Sequence, residues 1–294
     1  MKFQLFDKEI EIKRDGCQHG SHPVQPIPPS VNIFVKVTNG CNARCAFCSN
    51  GGCKNTGKAF DHNKLWRIVD ELQDNHIIVN RLNITGGEPS TDPVVVNGIL
   101  ERASVDKYKN LHIHLNTNGL VESSQELMRH NRWDSISVSL HHYDLMRLSQ
   151  IYGVKIPSEA LSFNGIDMNK VNASCNLIKG YIDSNIEVEQ MLQFAISLGI
   201  PRLGFVSLMK INGYCKEHYV DFDDIDFSSI PHLYFTESRN RGENCKCSNY
   251  LYNHNCKILE VYMRNYANPN YCESSLMYDG EYLKQGFHDK NIIF

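Results

Sequence analysis

The chain has 294 residues, of which 41% are hydrophobic and 21% charged, with a formal net charge of −3. This composition predicts a folded protein with a full core, and the near-neutral balance argues against a general nucleic-acid binder. Because no 18 consecutive residues are apolar and the first residues lack the apolar core of a signal peptide, we expect a soluble, cytoplasmic protein. In such a compartment, the eleven cysteines indicate metal binding or catalysis more than disulfides.

The first two thirds of the chain alternate strand and helix patterns. Residues 1–30 predict a β-hairpin and a Pro-rich connector, and a helix is predicted over 61–73. A second helix begins at Ser184, which with Glu187 has the spacing of a capping box, and ends at Gly199. Strands are predicted over 32–37, 81–85, 111–116, 135–140, 171–179 and 203–209. Repeated βα units imply a parallel sheet, so residues 31–212 predict an α/β fold, a partial (β/α)6 barrel with its chemistry at the C-terminal strand ends.

The pattern changes after residue 212. Residues 213–294 predict a small β-rich, cysteine-rich C-terminal extension. One hairpin is predicted from 250–252 and 257–264 around a turn at 253–255. A second is predicted from 276–278 and 281–283, where Asp-Gly favours a tight turn.

Three cysteines lie within eight residues on the loop that follows the first barrel strand: Cys41, Cys45 and Cys48. Thiolates bind zinc, Cu(I) or iron–sulfur clusters. Structural zinc usually has four protein ligands, and Cys53 is the nearby candidate for a fourth. Three ligands on a four-iron cluster leave one iron open to a substrate or cofactor. We therefore predict a [4Fe–4S] cluster, with zinc as the alternative.

The spacing Cys-x3-Cys-x2-Cys after the first strand, with Phe47 before the last cysteine, resembles the radical S-adenosylmethionine (SAM) superfamily over roughly residues 30–210. The resemblance implies that SAM binds the open iron and that Phe47 belongs to the cofactor-binding residues. It also implies an electron donor such as flavodoxin or ferredoxin, and cleavage of SAM to methionine and a 5′-deoxyadenosyl radical that abstracts a substrate hydrogen. The protein then has to bind, orient and exclude water, because the cofactor supplies the difficult chemistry.

A Gly-Gly-Glu-Pro turn follows the second predicted strand at residues 86–89. Glycines permit close approach of the backbone to a ligand, and Glu88 adds an anion. The superfamily uses this turn to bind the methionine ammonium of SAM, so the resemblance implies that role for Gly86, Gly87 and Glu88. An ordinary strand-to-helix turn is the alternative.

Polar residues also mark the next two strand ends. Asn116 and Asn118 are similar to family residues that approach the methionyl or ribosyl part of SAM, with an Asn-Gly turn as the alternative. Ser137 and Ser139 share one face of the fourth strand with Ser135, which suits ribose hydroxyls and a carboxylate. Small side chains packed in a narrow barrel would explain the same pattern.

Histidines occur on the same two strands. His112 and His114 share a strand face with Asn116, so we expect them to line the barrel interior. His141 and His142 follow the fourth strand, where a solvated or helix-capping pair is favoured over contact with substrate.

The C-terminal cysteines predict a second site. Cys245, Cys247, Cys256 and Cys272 are the predicted ligands of a second [4Fe–4S] cluster, with structural zinc or unmodified thiols as alternatives. The group looks like the twitch or SPASM extensions of radical SAM enzymes, although Cys-x-Cys is not their usual spacing. With five candidates for four ligands, Cys215 or Cys256 would then be a spare thiol, and Cys215 is the candidate catalytic hydrogen-atom donor near the barrel mouth.

The leading functional hypothesis is a radical SAM enzyme that modifies a peptide, by analogy with enzymes that carry C-terminal auxiliary clusters. A small molecule or nucleotide in cofactor or modified-base biosynthesis is the alternative substrate. A non-catalytic zinc or iron–sulfur protein is a third hypothesis, against which the Gly-Gly-Glu-Pro turn argues. The expected partners are the substrate and an electron donor, with no membrane and no general nucleic-acid binding.

Overall fold

The structure is a computed structural model that describes residues 2–12, 29–50, 59–238, 247–265, 275–286 and 291–294. Its first two strands, β1 (Lys2–Leu5) and β2 (Lys8–Glu11), pair antiparallel, which confirms the predicted N-terminal hairpin. Leu5 and Ile10 are buried and attach this hairpin to the main core. Most of the predicted Pro-rich connector lies outside the described residues.

Six parallel strands form the centre of the main sheet, and each coincides with a predicted strand. They pair in chain order, so that each crossover brings the next strand beside the last. This arrangement confirms the predicted α/β class and its parallel sheet of βα units. The strands are β3 (Ser30–Lys36), β4 (Ile78–Thr85), β5 (Ile113–Thr117), β6 (Ser135–Ser139), β7 (Val171–Leu177) and β8 (Arg202–Ser207).

In the described ranges, six α-helices accompany these strands. They are α1 (His62–Asp74), α2 (Pro93–Ala103), α3 (Glu122–Met128), α4 (Leu145–Tyr152), α5 (Asn185–Ser197) and α6 (Gly213–Glu217). Ser184 caps α5 by accepting from the Glu187 backbone N–H at 3.3 Å, as predicted. The Glu187 carboxylate instead accepts from the Tyr143 hydroxyl at 2.8 Å. The structure therefore shows the Ser184 side-chain bond of the predicted capping box and a different partner for the Glu187 side chain. Short 3-10 turns occupy Pro89–Thr91, Ser158–Leu161, Met168–Lys170, Phe222–Asp224 and Phe227–Ser229.

The two faces of the central sheet differ in chemistry, because side chains alternate along a strand. One face is apolar: Ile33 and Leu82 are fully buried with Leu65 of α1. The opposite face, which we call the polar face, carries amides, hydroxyls and imidazoles. Strands of a parallel sheet are usually apolar on both faces, so the polar face indicates a functional surface. Its residues include Asn83, His114, Ser135, Asn116, Ser137, Asn172, Ser139 and Ser174, which pair across β4 to β7.

The residues after 212 extend this sheet at both of its edges. Strand β11 (Lys257–Arg264) pairs parallel with β8, and β12 (Ser275–Tyr278) pairs parallel with β3. Antiparallel neighbours follow outside them, namely β10 (Ser248–His254) and β9 (Leu233–Ser238) beyond β11, and β13 (Leu283–Gln285) beyond β12.

Eleven strands of the described part of the chain thus share one sheet, and both predicted C-terminal hairpins are confirmed. The C-terminal strands continue the central sheet, while the division of the chain at residue 212 stays a prediction. None of the helices in the described ranges is long and apolar enough to span a membrane.

Candidate active site

A cavity of about 280 Å³ lies where the six central strands end at their C-terminal sides. This is near the lower end of the volumes of small-molecule sites. Every central strand, or the loop that follows it, contributes to the wall. The lining residues are Cys41, Ala43, Cys45, Phe47, Cys48, Ser49, Asn50, Thr85, Gly86, Gly87, Glu88, Asn116, Thr117, Asn118, Ser139, His141, Tyr152, Ser174, Asn176, Val206, Ser207, Leu208 and Met209.

The thiols of Cys41, Cys45 and Cys48 all line this cavity, and each residue is partly buried. Within the described ranges, no three His, Cys, Asp or Glu side chains gather as the ligands of one metal ion. A four-iron cube binds each thiolate through a different iron, so its ligands stand farther apart than those of a single ion. Three soft donors around one cavity suit such a cluster better than a lone zinc ion.

Asn42, beside Cys41, provides a second test of this fit. Its Oδ1 accepts from Asn118 Nδ2 at 2.6 Å, which fixes the orientation of the amide. Its Nδ2 is buried and has no hydrogen-bond partner in the described chain. A buried donor without an acceptor is costly, and the sulfur atoms of a cluster held by the adjacent Cys41 would be acceptors. The loop therefore fits an iron–sulfur cluster.

The 86–89 turn packs directly on the cysteine loop. Gly87 N–H donates to Thr38 O at 2.8 Å, and Glu88 N–H donates to Gly40 O at 2.7 Å. A Cβ on Gly87 would stand 1.9 Å from Gly40 O. Gly86 has φ +155°, and a Cβ there would stand 2.6 Å from Thr38 O. The two glycines are thus required for contact between the loops, and their predicted role in binding SAM stays a prediction.

Glu88 is 1% exposed, and its carboxylate lies at the centre of a hydrogen-bond network. It accepts from Thr117 Oγ1 at 2.7 Å, from Asn118 N–H at 2.8 Å and from Ser90 N–H at 3.2 Å. Burial raises the pKa of this carboxyl, while these hydrogen bonds act in the opposite direction. Glu88 therefore ties the turn after β4 to the end of β5, in addition to lining the cavity.

Replacement of Glu88 by Gln is expected to weaken both the fold and SAM binding. The new NH2 group would face chain donors, and a lost acceptor for a buried donor costs about 1–3 kcal/mol. Loss of the anion should lower SAM affinity about 10- to 100-fold. Urea unfolding of the apoprotein and equilibrium dialysis with SAM measure the two effects. The exposed Glu101→Gln is the control, and unchanged SAM affinity in Glu88→Gln would place Glu88 outside the SAM site.

The structure brings most of the other predicted cofactor residues together. Phe47, Asn116, Asn118 and Ser139 all line the cavity. Ser137 lies two residues earlier than Ser139 on β6 and is not among the described lining residues. The predicted SAM residues on β5 and β6 thus meet at the cavity, apart from Ser137.

His114 of β5 and His112, just before this strand, contact Ser135 of the polar face, and neither is among the described residues that line the cavity. Ser135 Oγ lies 2.7 Å from His112 Nε2 and 2.7 Å from His114 Nδ1. Burial lowers the pKa of His114 to about 3, so this ring is neutral at physiological pH.

The expectation of a solvated or helix-capping pair is wrong for His141, whereas His142 makes a contact at a helix start. His141 is buried and lines the cavity, and burial lowers its pKa to about 3. Its Nδ1 accepts from Asn176 N–H at 3.1 Å, and its ring meets the Phe47 ring edge-on at 5.0 Å. His142 is also buried, and its Nδ1 accepts from the backbone N–H of Asp144, the N-cap of α4, at 2.9 Å. Neither ring is solvated.

The C-terminal cysteines do not gather as predicted. Cys247 is 4% exposed, precedes β10, and accepts from Asn265 N–H at 3.3 Å. Cys256 is exposed in the turn at the opposite end of β10. Seven residues of strand, at about 3.4 Å each, separate the two by more than about 20 Å. One cluster cannot bind both, so Cys247 and Cys256 do not belong to one ligand set, and the predicted four-cysteine set is wrong as a single site. Cys245 and Cys272 lie outside the described residues.

Cys215 lies in α6 and is 1% exposed. Its Sγ donates to Phe47 O at 3.7 Å, and burial raises the pKa of the thiol. It is not among the described residues that line the cavity. The structure thus places Cys215 against the cysteine loop, and its role as a hydrogen-atom donor stays a prediction.

Part of the cavity wall was not predicted. Ser174 and Asn176 of β7 and Leu208 and Met209 after β8 line it. Asn172, Ser174 and Asn176 alternate with apolar residues in the fifth predicted strand, which was the available signal. Their position opposite the cysteine loop depends on the curvature of the sheet, which this alternation does not reveal.

Three thiols and a glycine-rich turn meet at one cavity at the C-terminal ends of a parallel sheet, which is the arrangement expected of an iron–sulfur protein with a second, small cofactor. The model of the Radical SAM superfamily matches residues 35–221, and the chain belongs to that superfamily. The family uses a [4Fe–4S] cluster and SAM, so the predicted enzyme class and both cofactors are confirmed.

Two curated relatives show how much of the chain is shared. A probable GTP 3′,8-cyclase of Thermococcus kodakarensis is 27% identical over 180 residues, 58% of this chain and 55% of that protein. A PqqA peptide cyclase of Methylorubrum extorquens is 25% identical over 183 residues, 62% of this chain and 47% of that protein. This chain therefore matches about half the length of each relative.

Solved structures share the fold. Streptococcus suis SuiB bound to precursor peptide SuiA matches with a TM-score of 0.51 and 20% identity, over 64% of this chain and 41% of SuiB. A radical SAM methyltransferase from Sphaerobacter thermophilus matches with a TM-score of 0.51 and 16% identity, over 68% of this chain and 62% of that one. At these identities the likeness concerns the fold alone.

Proposed function

We propose that this protein reductively cleaves SAM and uses the 5′-deoxyadenosyl radical to abstract a hydrogen atom from a peptide, in the modification of a precursor peptide. The observation that carries this proposal is the chemistry of the cavity wall. Its described lining residues include no Lys or Arg, and the carboxylate of Glu88 is occupied by donors of the chain. Ser174 and Asn176 offer neutral donors and acceptors, which match a peptide backbone.

A nucleotide is the second candidate substrate, because a probable GTP 3′,8-cyclase is among the relatives. Triphosphates are usually bound by Arg, Lys or metal ions, and no cationic side chain occurs among the described lining residues. The PqqA peptide cyclase, by its name, acts on a peptide. The cavity and this second relative together favour a peptide.

The chain's own residues have distinct tasks in this proposal. Cys41, Cys45 and Cys48 would hold the cluster, and an electron donor such as flavodoxin or ferredoxin would reduce it. Cluster and SAM, when bound, supply the radical. The neutral ring of His141 and the edge of Phe47 would shape the cavity and keep water from the radical. The part of the cavity that the cluster would leave free for SAM would be lined by Glu88, Asn116, Asn118 and Ser139.

The transfer of deuterium from a labelled substrate to 5′-deoxyadenosine tests the substrate class. Reconstituted protein, SAM and dithionite are incubated in H2O with pools of synthetic peptides, each pool deuterated in one residue type, and in parallel with deuterated GTP. We expect deuterium in 5′-deoxyadenosine with a peptide pool and a mass change in the peptide. Deuterium transfer from GTP, with none from any peptide pool, would contradict the peptide proposal and support the nucleotide.

We also propose a second iron–sulfur site, held by Cys245, Cys247 and Cys272. Cys247 lies beside Asn265, whose Oδ1 accepts from Ser207 Oγ at 3.1 Å, and Ser207 lines the cavity. A cluster bound there would be next to the substrate, where an auxiliary cluster can exchange electrons with it.

The triple variant of Cys41, Cys45 and Cys48 to Ala should keep about half of the wild-type iron if this second site exists. Adding Cys247→Ala should remove the remainder, whereas adding Cys256→Ala should leave it, because Cys256 lies at the other end of β10. Iron and zinc analysis distinguishes the outcomes. If the triple variant retains zinc without iron, the second site is a structural zinc site. If it retains neither metal, the proposal of a second metal site is wrong.

A further inference from the structure

The second half of the cysteine loop, between Cys45 and Cys48, is held by a part of the chain far away in sequence. A backbone hydrogen bond from Cys48 N–H to Cys45 O, at 3.1 Å, closes this short turn. The two carbonyls inside the turn, of Ala46 and Phe47, point to α6. Asn212 Nδ2 donates to Ala46 O at 3.1 Å, and Cys215 Sγ donates to Phe47 O at 3.7 Å.

Asn212 performs two tasks with one amide group. Its Oδ1 accepts from Cys215 N–H at 2.8 Å and caps α6. This cap fixes the orientation of the amide, so that the Nδ2 is directed to Ala46. Cys215 in turn packs with Ile151, Ile178, Leu208 and Phe47 in a small apolar cluster. Both donors are therefore presented from a well-held segment.

We propose that Asn212 and Cys215 are positioning residues that hold the Cys45–Cys48 turn in the conformation that binds the cluster. Rotation of either peptide would break a hydrogen bond from a side chain, so these contacts favour one arrangement of the backbone that carries the Cys45 and Cys48 thiols. The first half of the loop is held by the 86–89 turn and by Asn118. Without Asn212 and Cys215 the second half would lose both of these side-chain contacts to its carbonyls, and the cluster would lose iron more readily.

Asn212→Asp is the first test, because Asp keeps the cap on α6 but replaces the amide donor to Ala46 O with an oxygen. In the anaerobically reconstituted protein, we expect iron release to a chelator about 3- to 10-fold faster than in the wild type. The electron paramagnetic resonance spectrum of the reduced cluster should also change. The apoprotein should melt as the wild type does. Asn185→Asp, which removes an exposed amide donor to Ser229, is the matched control.

Cys215 provides an independent pair of variants. Cys215→Ala removes the donor to Phe47 O and should release iron faster, whereas Cys215→Ser keeps a donor on a shorter side chain and should restore part of the wild-type rate. These variants answer the question even if Asn212→Asp fails to fold. The proposal would be overturned if Asn212→Asp released iron at the wild-type rate and kept the wild-type spectrum. If Asn212→Asp does not fold, the same result in Cys215→Ala would overturn it. So would a faster release that is matched by a lower melting temperature of the apoprotein.

Discussion

Replacement of Cys41, Cys45 and Cys48 together by Ala is expected to abolish the formation of 5′-deoxyadenosine from SAM in the presence of dithionite. The three thiols line one cavity and are the ligands that the loop offers to a four-iron cluster. Without these thiols no cluster would be held beside SAM, so no electron would be available to cleave SAM. Chromatography with mass detection measures the product, and visible absorbance reports the cluster.

The control for this variant is Cys256→Ala, which removes an exposed thiol at the opposite end of the sheet. It should keep the wild-type yield of 5′-deoxyadenosine. If the triple variant still cleaves SAM, the cluster is held elsewhere and the assignment of the cysteine loop is wrong.

Gly87→Ala is expected to have a large effect, because among the glycines of the described ranges an added Cβ makes its closest contact here. The new Cβ would stand 1.9 Å from Gly40 O and 2.5 Å from Gly40 C, where no real contact is tolerated. The 86–89 turn must therefore separate from the cysteine loop, and the hydrogen bonds from Gly87 N–H and Glu88 N–H to that loop would break. We expect a loss of about 2–4 kcal/mol in the free energy of unfolding and little bound iron.

Urea unfolding of the apoprotein and iron analysis after reconstitution test this expectation. Gly213→Ala is the matched control, because a Cβ at Gly213 meets nothing within 4 Å. It should change stability by less than about 0.5 kcal/mol. A Gly87→Ala protein with wild-type stability and iron content would show that the two loops do not pack as described.

The predictions from sequence succeeded where the information is local. A strand reveals itself by the alternation of its own side chains, as in β6, where Ser135, Ser137 and Ser139 alternate with apolar residues. The cysteine spacing lies within one loop, and the 86–89 turn directly follows one strand. Each of these patterns is complete within a dozen residues, so no knowledge of the rest of the fold was needed.

The prediction that Cys247 and Cys256 bind one cluster was based on their spacing in the sequence and did not consider the strand between them. Cys247 and Cys256 are close in sequence, but a strand and its turn lie between them. The predicted turn at 253–255 already placed Cys256 at the end of a hairpin, so this signal was present in the sequence. A strand from 248 to 254 places the residues before and after it at opposite ends, which separates the two cysteines.

By itself the sequence determined the βα units, the cysteine loop, the glycine-rich turn and, through them, the superfamily. Only the tertiary structure decided which strands lie at the sheet edges, since nothing local to β11 and β12 specifies β8 and β3 as their neighbours. It also decided that His141 faces the cavity and that Asn212 reaches Ala46. Such contacts join residues far apart in the chain, and they follow from the curvature and register of the whole sheet, which no short segment encodes.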